Sequence, residues 1–263
     1  MLLTVRREEA LRIHGYYRIK QDEPPVLPPE FQISSHHLYR KRTAAAARLF
    51  WLGRYLERVY TTLKATRGMF DAETDGAEAD YKDYCRRMGI ACHYENTAAF
   101  IRSYYFDAEN ADSVAASLAH AYDNAIVLRE TLSSDTLAYV QMTVTAMELA
   151  AKSSGPAVEL QWVLDDIMAF RGSCEENIEE EINRNIIKSG ASLERVDIFL
   201  RLGYPQEQCL KEVRHLASRL KKAQLAVNEN NMQFLLNSLA GSPENLPPAP
   251  VLTAAAEGLL VNI

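Results

Sequence analysis

The residues best suited to chemistry come in two copies. Gly53-Arg54-Tyr55-Leu56-Glu57-Arg58-Val59 and Gly190-Ala191-Ser192-Leu193-Glu194-Arg195-Val196 agree at five of seven positions. Each valine is followed four residues later by a leucine, Leu63 and Leu200. A paired G-x-x-L-E-R-V pattern is a weak repeat by length and a specific one by content. On a helix, at about 100° per residue, Leu49, Leu52, Leu56, Val59 and Leu63 share one face. Arg54, Glu57 and Arg58 fall roughly opposite, flanked there by Phe50 and Trp51. A helix that is apolar on both sides is enclosed by protein. Charges enclosed with it need partners. Glu57 and Glu194 are the natural partners of Arg58 and Arg195, within each copy or crosswise.

Two uses of such a network stay open. In one, the ion pairs only set helix register. In the other, the arginines line a pocket for a carboxylate or phosphate, and the glutamates receive an amine or a cation. Trp51, Arg54 and Tyr55 belong to that candidate site. Arg129-Glu130 can join it, although Arg129 also suits a helix C-terminus through the macrodipole. Glu57 and Glu194 are the candidate general bases of an enzyme, which requires a carboxylate with a raised pKa in a closed pocket.

Other motifs are weaker. Glu212-Val213-Arg214-His215 has the E-x-x-H spacing of di-iron bundles, but it has no second copy, so a solvated Glu and His are expected. Gly172-Ser173-Cys174 lies within helical periodicity and has no adjacent base. Glu175-Glu176 and Glu179-Glu180-Glu181 read as a wet helix face. No phosphate-cradling glycine loop occurs. The four cysteines form no C-x-x-C pair and are expected to be reduced and mostly buried. His36-His37 is a lone surface pair. No metal and no cofactor is expected.

The elements that must position the repeat follow from periodicity. Thr43 to about Asp71 reads as one long helix, with shorter ones over Tyr81–Met88 and Thr97–Tyr105. Asp112-Ser113 and Ser133-Ser134-Asp135 are cap signals, the second opening a helix to Lys152. Further patterns run from about Val158 to Ile187, from Ala191 to Leu202, and from Pro205 to Gly241. No run alternates convincingly with period two. The expected fold is all-α, a single bundle of six to eight helices spanning 43–240. Residues 1–42 form an extension with two Pro-Pro pairs, Pro24-Pro25 and Pro28-Pro29, and residues 241–263 form a Pro-rich linker with an apolar tail.

Composition narrows the class. At 263 residues, 48% hydrophobic and 24% charged, the chain can bury a sizeable core. A net charge of −6 disfavours nucleic acid as a partner. No run approaches the length of a membrane span. The opening Met1-Leu2-Leu3-Thr4-Val5-Arg6-Arg7-Glu8 lacks a signal's apolar region, so a cytoplasmic location is expected.

The chain resembles the alpha-E family of bacterial helical domains, named for a Glu-Arg motif. The resemblance rests on Phe50-Trp51-Leu52-Gly53-Arg54-Tyr55-Leu56-Glu57-Arg58, Asp107 to Val114, Leu128 to Asp135, Phe170-Arg171-Gly172 and Ser192-Leu193-Glu194-Arg195-Val196, in the expected order over roughly 43–240. It implies an all-helical domain that occurs beside a circularly permuted ATP-grasp protein, often with a transglutaminase-like protease nearby. That setting implies amide or peptide chemistry. The chain would then be a non-catalytic accessory subunit binding the ATP-grasp ligase or its substrate. The alternatives are an enzyme in its own right on an amide or amino-acid-like substrate, and a homo-oligomeric scaffold. Two departures from the family stand out. One is the N-terminal extension. The other is Ala191, which stands where Arg54 stands in the first copy; if that arginine binds a ligand, the second half-site is expected to be weaker.

Overall fold

The computed structural model describes residues 29–261, with side chains from residue 44 onward. The extension up to residue 28, and the side chains of His36-His37, lie outside the described residues. Eleven α-helices follow: α1 Pro29–Ala65, α2 Arg67–Thr74, α3 Tyr81–Met88, α4 Thr97–Phe106, α5 Val114–Val127, α6 Ser134–Lys152, α7 Ala157–Asn177, α8 Glu181–Leu202, α9 Gln206–Lys222, α10 Glu229–Ala240 and α11 Ala249–Glu257. Among the described residues the extended backbone amounts to one isolated bridge, Val227 to Leu260. The fold is all-α.

Side-chain caps fix five helix starts, each satisfying one orphan N–H. Asp80 accepts from the Asp83 amide, Asn96 from Ala99, Ser113 from Ala116, Ser133 from Thr136 and Asn228 from Asn231. α1 begins at Pro29, earlier than expected, since proline's fixed φ suits a first helical position.

The helix count exceeds the expected six to eight because two long patterns are broken, at Thr66 and after Lys222, and the tail adds a helix, while a third break before Ile178 only moves a boundary. The chain bends at Thr66, between α1 and α2. α7 stops before Ile178, within the acidic run, where Arg184 donates to the Ile178 and Glu179 carbonyls. α9 stops at Ala223, after which Gln224 adopts the left-handed φ of 55° and Asn228 caps α10. The tail adds α11, whose Leu252 and Ala256, with Leu259 beyond it, are buried.

α1 and α8 form the centre. The stripe Leu49, Leu52, Leu56, Val59 and Leu63 is buried, and so are Phe50, Arg54 and Glu57 on the other side. α8 is likewise buried around most of its circumference, from Asn185 to Leu200. α5 packs on α1, α9 and α11 pack on α8, and α6 with α7 forms an antiparallel hairpin alongside. No helix among the described residues is long and apolar enough to cross a membrane. Cys85, Cys174 and Cys209 are buried and Cys92 is exposed, all as free thiols.

Candidate functional site

The two G-x-x-L-E-R-V segments meet where α1 crosses α8, and they meet at their glycines. A methyl group on Gly53 would sit 2.0 Å from the Ile187 carbonyl oxygen, and one on Gly190 would sit 2.0 Å from the Phe50 carbonyl oxygen. The next neighbours correspond as well, the Ala191 amide at 3.2 Å and the Arg54 amide at 3.1 Å. The crossing therefore has local two-fold symmetry. Periodicity leaves residues 188–190 between two helical patterns, but Gly190 lies inside α8 as the point of backbone contact.

One turn beyond the glycines, the charges pair crosswise. Arg58 donates from Nε to Oε1 of Glu194 at 2.6 Å and from Nη2 to Oε2 at 3.2 Å. Arg195 donates from Nε to Oε1 of Glu57 at 3.0 Å and from Nη2 to Oε2 at 2.7 Å. The same atoms are used in both forks. Bidentate pairs of this kind fix orientation as well as charge. Glu57 and Glu194 are each 1% exposed.

The symmetry ends at Arg54. Its guanidinium, fully buried, completes the Glu194 shell from Nε and Nη2, both at 2.7 Å from Oε2. Ala191 provides no counterpart for Glu57. Arg171 of α7 fills that place, donating to Glu57 Oε2 at 2.6 Å while stacking 4.2 Å over the Tyr60 ring. Thr61 donates to Oε1 at 2.8 Å. The second half-site is thus completed from a third helix rather than left short by Ala191.

A third carboxylate extends the network. Glu212 accepts from Ser192 at 2.7 Å, from Arg195 at 3.1 Å and from Arg219 at 3.4 Å. The expectation of a solvated Glu212 is corrected here, since it is 6% exposed. His215 is exposed, with Nδ1 3.7 Å from Glu212. Ser173 is bonded to Thr136 and Asn177.

Aromatic rings back the arginines. Arg54 lies 5.1 Å from the Trp51 ring and Arg58 lies 5.6 Å from the Tyr55 ring. Tyr55 in turn lies 5.2 Å from His120. The expected set Trp51, Arg54, Tyr55, Glu57, Arg58, Glu194 and Arg195 is therefore brought together. Arg129 and Glu130 lie exposed on the turn after α5, outside this network. Sequence reasoning missed Arg171, Glu212 and Arg219 as members. Arg171 left a trace in the segment Phe170-Arg171-Gly172, and Glu212 drew notice only for its E-x-x-H spacing.

Burial alone would raise the Glu194 carboxyl, but Arg58 and Arg54 outweigh it and hold it down to about 2. Glu212 is lowered in the same way: burial opposes, and Arg195, Ser192 and Arg219 prevail. Asp197 behaves oppositely, raised by burial and by Glu194. A carboxyl depressed in the folded state stabilises the fold above its unfolded pKa, and that stabilisation is lost as pH falls through the folded value. For Glu194 the window is pH 4.5 down to about 2, and the loss is on the order of 3 kcal/mol. Asp197 offsets part of it. Urea unfolding at stepwise lower pH should show stability falling through this window. A flat profile between pH 5 and 2 would contradict the ion-pair assignment.

Among the described residues no group of three or more histidine, cysteine, aspartate or glutamate side chains is placed to hold a metal ion. A family model named Alpha-E, described as a predicted alpha-helical domain with a conserved ER motif, matches residues 42–243, well over half of the chain. No curated protein and no solved structure matches.

Proposed function

The chain belongs to the Alpha-E family, and on that footing we propose that it is a non-catalytic helical accessory subunit of a bacterial, cytoplasmic amide- or peptide-forming system, binding an ATP-grasp-type ligase or that ligase's substrate. The state of the two glutamates supports the non-catalytic part. A general base works best with a pKa near the operating pH. Glu194 is held far below it, and Glu57 accepts four hydrogen bonds from Thr61, Arg171 and Arg195. The enzyme reading, with either glutamate as base, is disfavoured on that ground.

The observation that carries the binding part is the outer face of the α6–α7 hairpin. Met142, Leu149 and Trp162 stand 49%, 47% and 48% exposed there. They line an open groove with Ala138, Thr145 and Asp166. Contiguous exposed apolar surface on a soluble domain marks an interaction site, and tryptophan is a preferred anchor. Asp165 and Asp166 edge the groove, so the matching surface is apolar and flanked by lysine or arginine. A homo-oligomer closing on this strip symmetrically would bring the same aspartates together.

Co-purification with the ATP-grasp protein tests the reading. Trp162→Glu should weaken association at least tenfold, about 1.4 kcal/mol or more, with an unchanged melting temperature. No association at micromolar concentration, or binding indifferent to Trp162→Glu, would sink it. Light scattering showing a dimer that Trp162→Glu dissolves would favour the scaffold.

A further inference from the structure

Three arginines at the outer end of the network reach solvent, and two of them, Arg171 and Arg219, keep nitrogens that no carboxylate holds, whereas Arg195 is bonded through Nε, Nη1 and Nη2. Arg171, Arg195 and Arg219 come from α7, α8 and α9, and their side chains are 30%, 24% and 28% exposed. They form a chain of alternating charge. Glu57 Oε2 joins Arg171 at 2.6 Å to Arg195 at 2.7 Å. Glu212 Oε1 joins Arg195 at 3.1 Å to Arg219 at 3.4 Å. Three cations thus face two carboxylates, and His215 beside Glu212 is neutral unless protonated. The donor inventory is also in surplus. A guanidinium carries five N–H donors. Arg171 aims Nη1 at the Met168 sulfur, 3.2 Å away, which is a weak acceptor. Arg219 uses only Nη1, on Ser192 and Glu212. Burial opposes the charge on Arg219 most, Glu212 and Glu57 favour it, and the cations Arg195 and Arg171 oppose it, so that on balance the charge is disfavoured.

We propose that Arg171, Arg195 and Arg219 form a binding site for a phosphoryl group, free or esterified. Each neighbouring pair of arginines already holds a protein carboxylate. The unfilled role is a group that reaches all three, and a tetrahedral phosphoryl group offers one terminal oxygen to each guanidinium. A carboxylate, with two oxygens, would only repeat what Glu57 and Glu212 do. Forked guanidinium recognition is well matched to phosphate. The site is independent of the α6–α7 strip and of any partner's identity.

Calorimetric titration of the full chain with inorganic phosphate, at ionic strength fixed with chloride, tests this. One saturable site per chain is expected, weakened at least tenfold by Arg219→Gln. If that variant fails to fold, Arg219→Lys keeps the charge, loses the fork, and should weaken binding severalfold. Phenyl phosphate separates the two sources. Binding at least as tight as inorganic phosphate assigns a phosphate monoester, and binding of inorganic phosphate alone assigns the free ion. Heat indistinguishable from chloride, acetate binding as tight as phosphate, or affinity unchanged in the Arg219 variants would overturn the assignment. Failed co-purification with intact phosphate binding would remove the partner and leave the site.

Discussion

Gly190→Ala is expected to destabilise the fold by roughly 3–5 kcal/mol, enough to remove most of the stability of a marginal domain. The added carbon would stand 2.0 Å from the Phe50 carbonyl oxygen. That atom belongs to the backbone of a buried helix, so no side-chain rotation relieves the clash. α1 and α8 would have to separate, and the crossed forks one turn away would lengthen with them. Gly53→Ala should behave the same way, against the Ile187 carbonyl oxygen. Gly172→Ala is the internal control, because it lies in α7 with open space around it. Replacing glycine by alanine in a helix interior gains roughly 0.5–1 kcal/mol. Chemical denaturation of the three variants gives the comparison. Tolerance of alanine at both Gly53 and Gly190 would mean that the backbones do not touch there.

Glu194→Gln should cost roughly 3–5 kcal/mol, the range for stranding a buried charge. Arg54 is 1% exposed and would lose the carboxylate that its Nε and Nη2 hold, with water excluded from the gap and Asp197 still acting on it. Glu57→Gln should cost clearly less, although the two glutamates hold equivalent places in the repeat. Arg171 and Arg195 reach solvent at 30% and 24% exposure, and Arg195 keeps Glu212. The asymmetry follows from one difference between the copies, Arg54 against Ala191. Equal losses, or a larger one at Glu57, would contradict it. The comparison is best made by urea unfolding near neutral pH, well above the window in which Glu194 is protonated.

Local chemistry made much of this legible in the sequence. Ser113 and Ser133 announce their helices because a hydroxyl before an apolar stripe has one obvious use, the free amides of the first turn. Enclosure of α1 could be read from Phe50 and Trp51 sharing a side with Arg54. Crosswise pairing of the repeats was one of two geometries the motif allowed, and the structure selects it. What stayed hidden depended on distant chain. Gly190 falls between two helical patterns in one dimension, and only the approach of Phe50 shows why a side chain is excluded. Arg171 has no spacing relation to Glu57, since the two are joined by packing of α7 on α1. Glu212 sits beside exposed His215, and nothing local says that Ser192 and Arg195 enclose it. The breaks before Ile178 and at Gln224 fall inside continuous apolar periodicity, so pattern alone runs through them.

The most direct test is a double-mutant cycle between Glu57 and Arg195, using Gln at each position and equilibrium unfolding as the readout. Crossed forks predict a coupling energy of about 1–3 kcal/mol between these two residues, far apart in sequence. The cycle joining Arg195 to its chain neighbour Glu194 should be much smaller, because adjacent helix positions face different partners. Additive effects for Glu57 with Arg195, together with strong coupling inside either Glu-Arg dipeptide, would show that the two copies do not exchange partners.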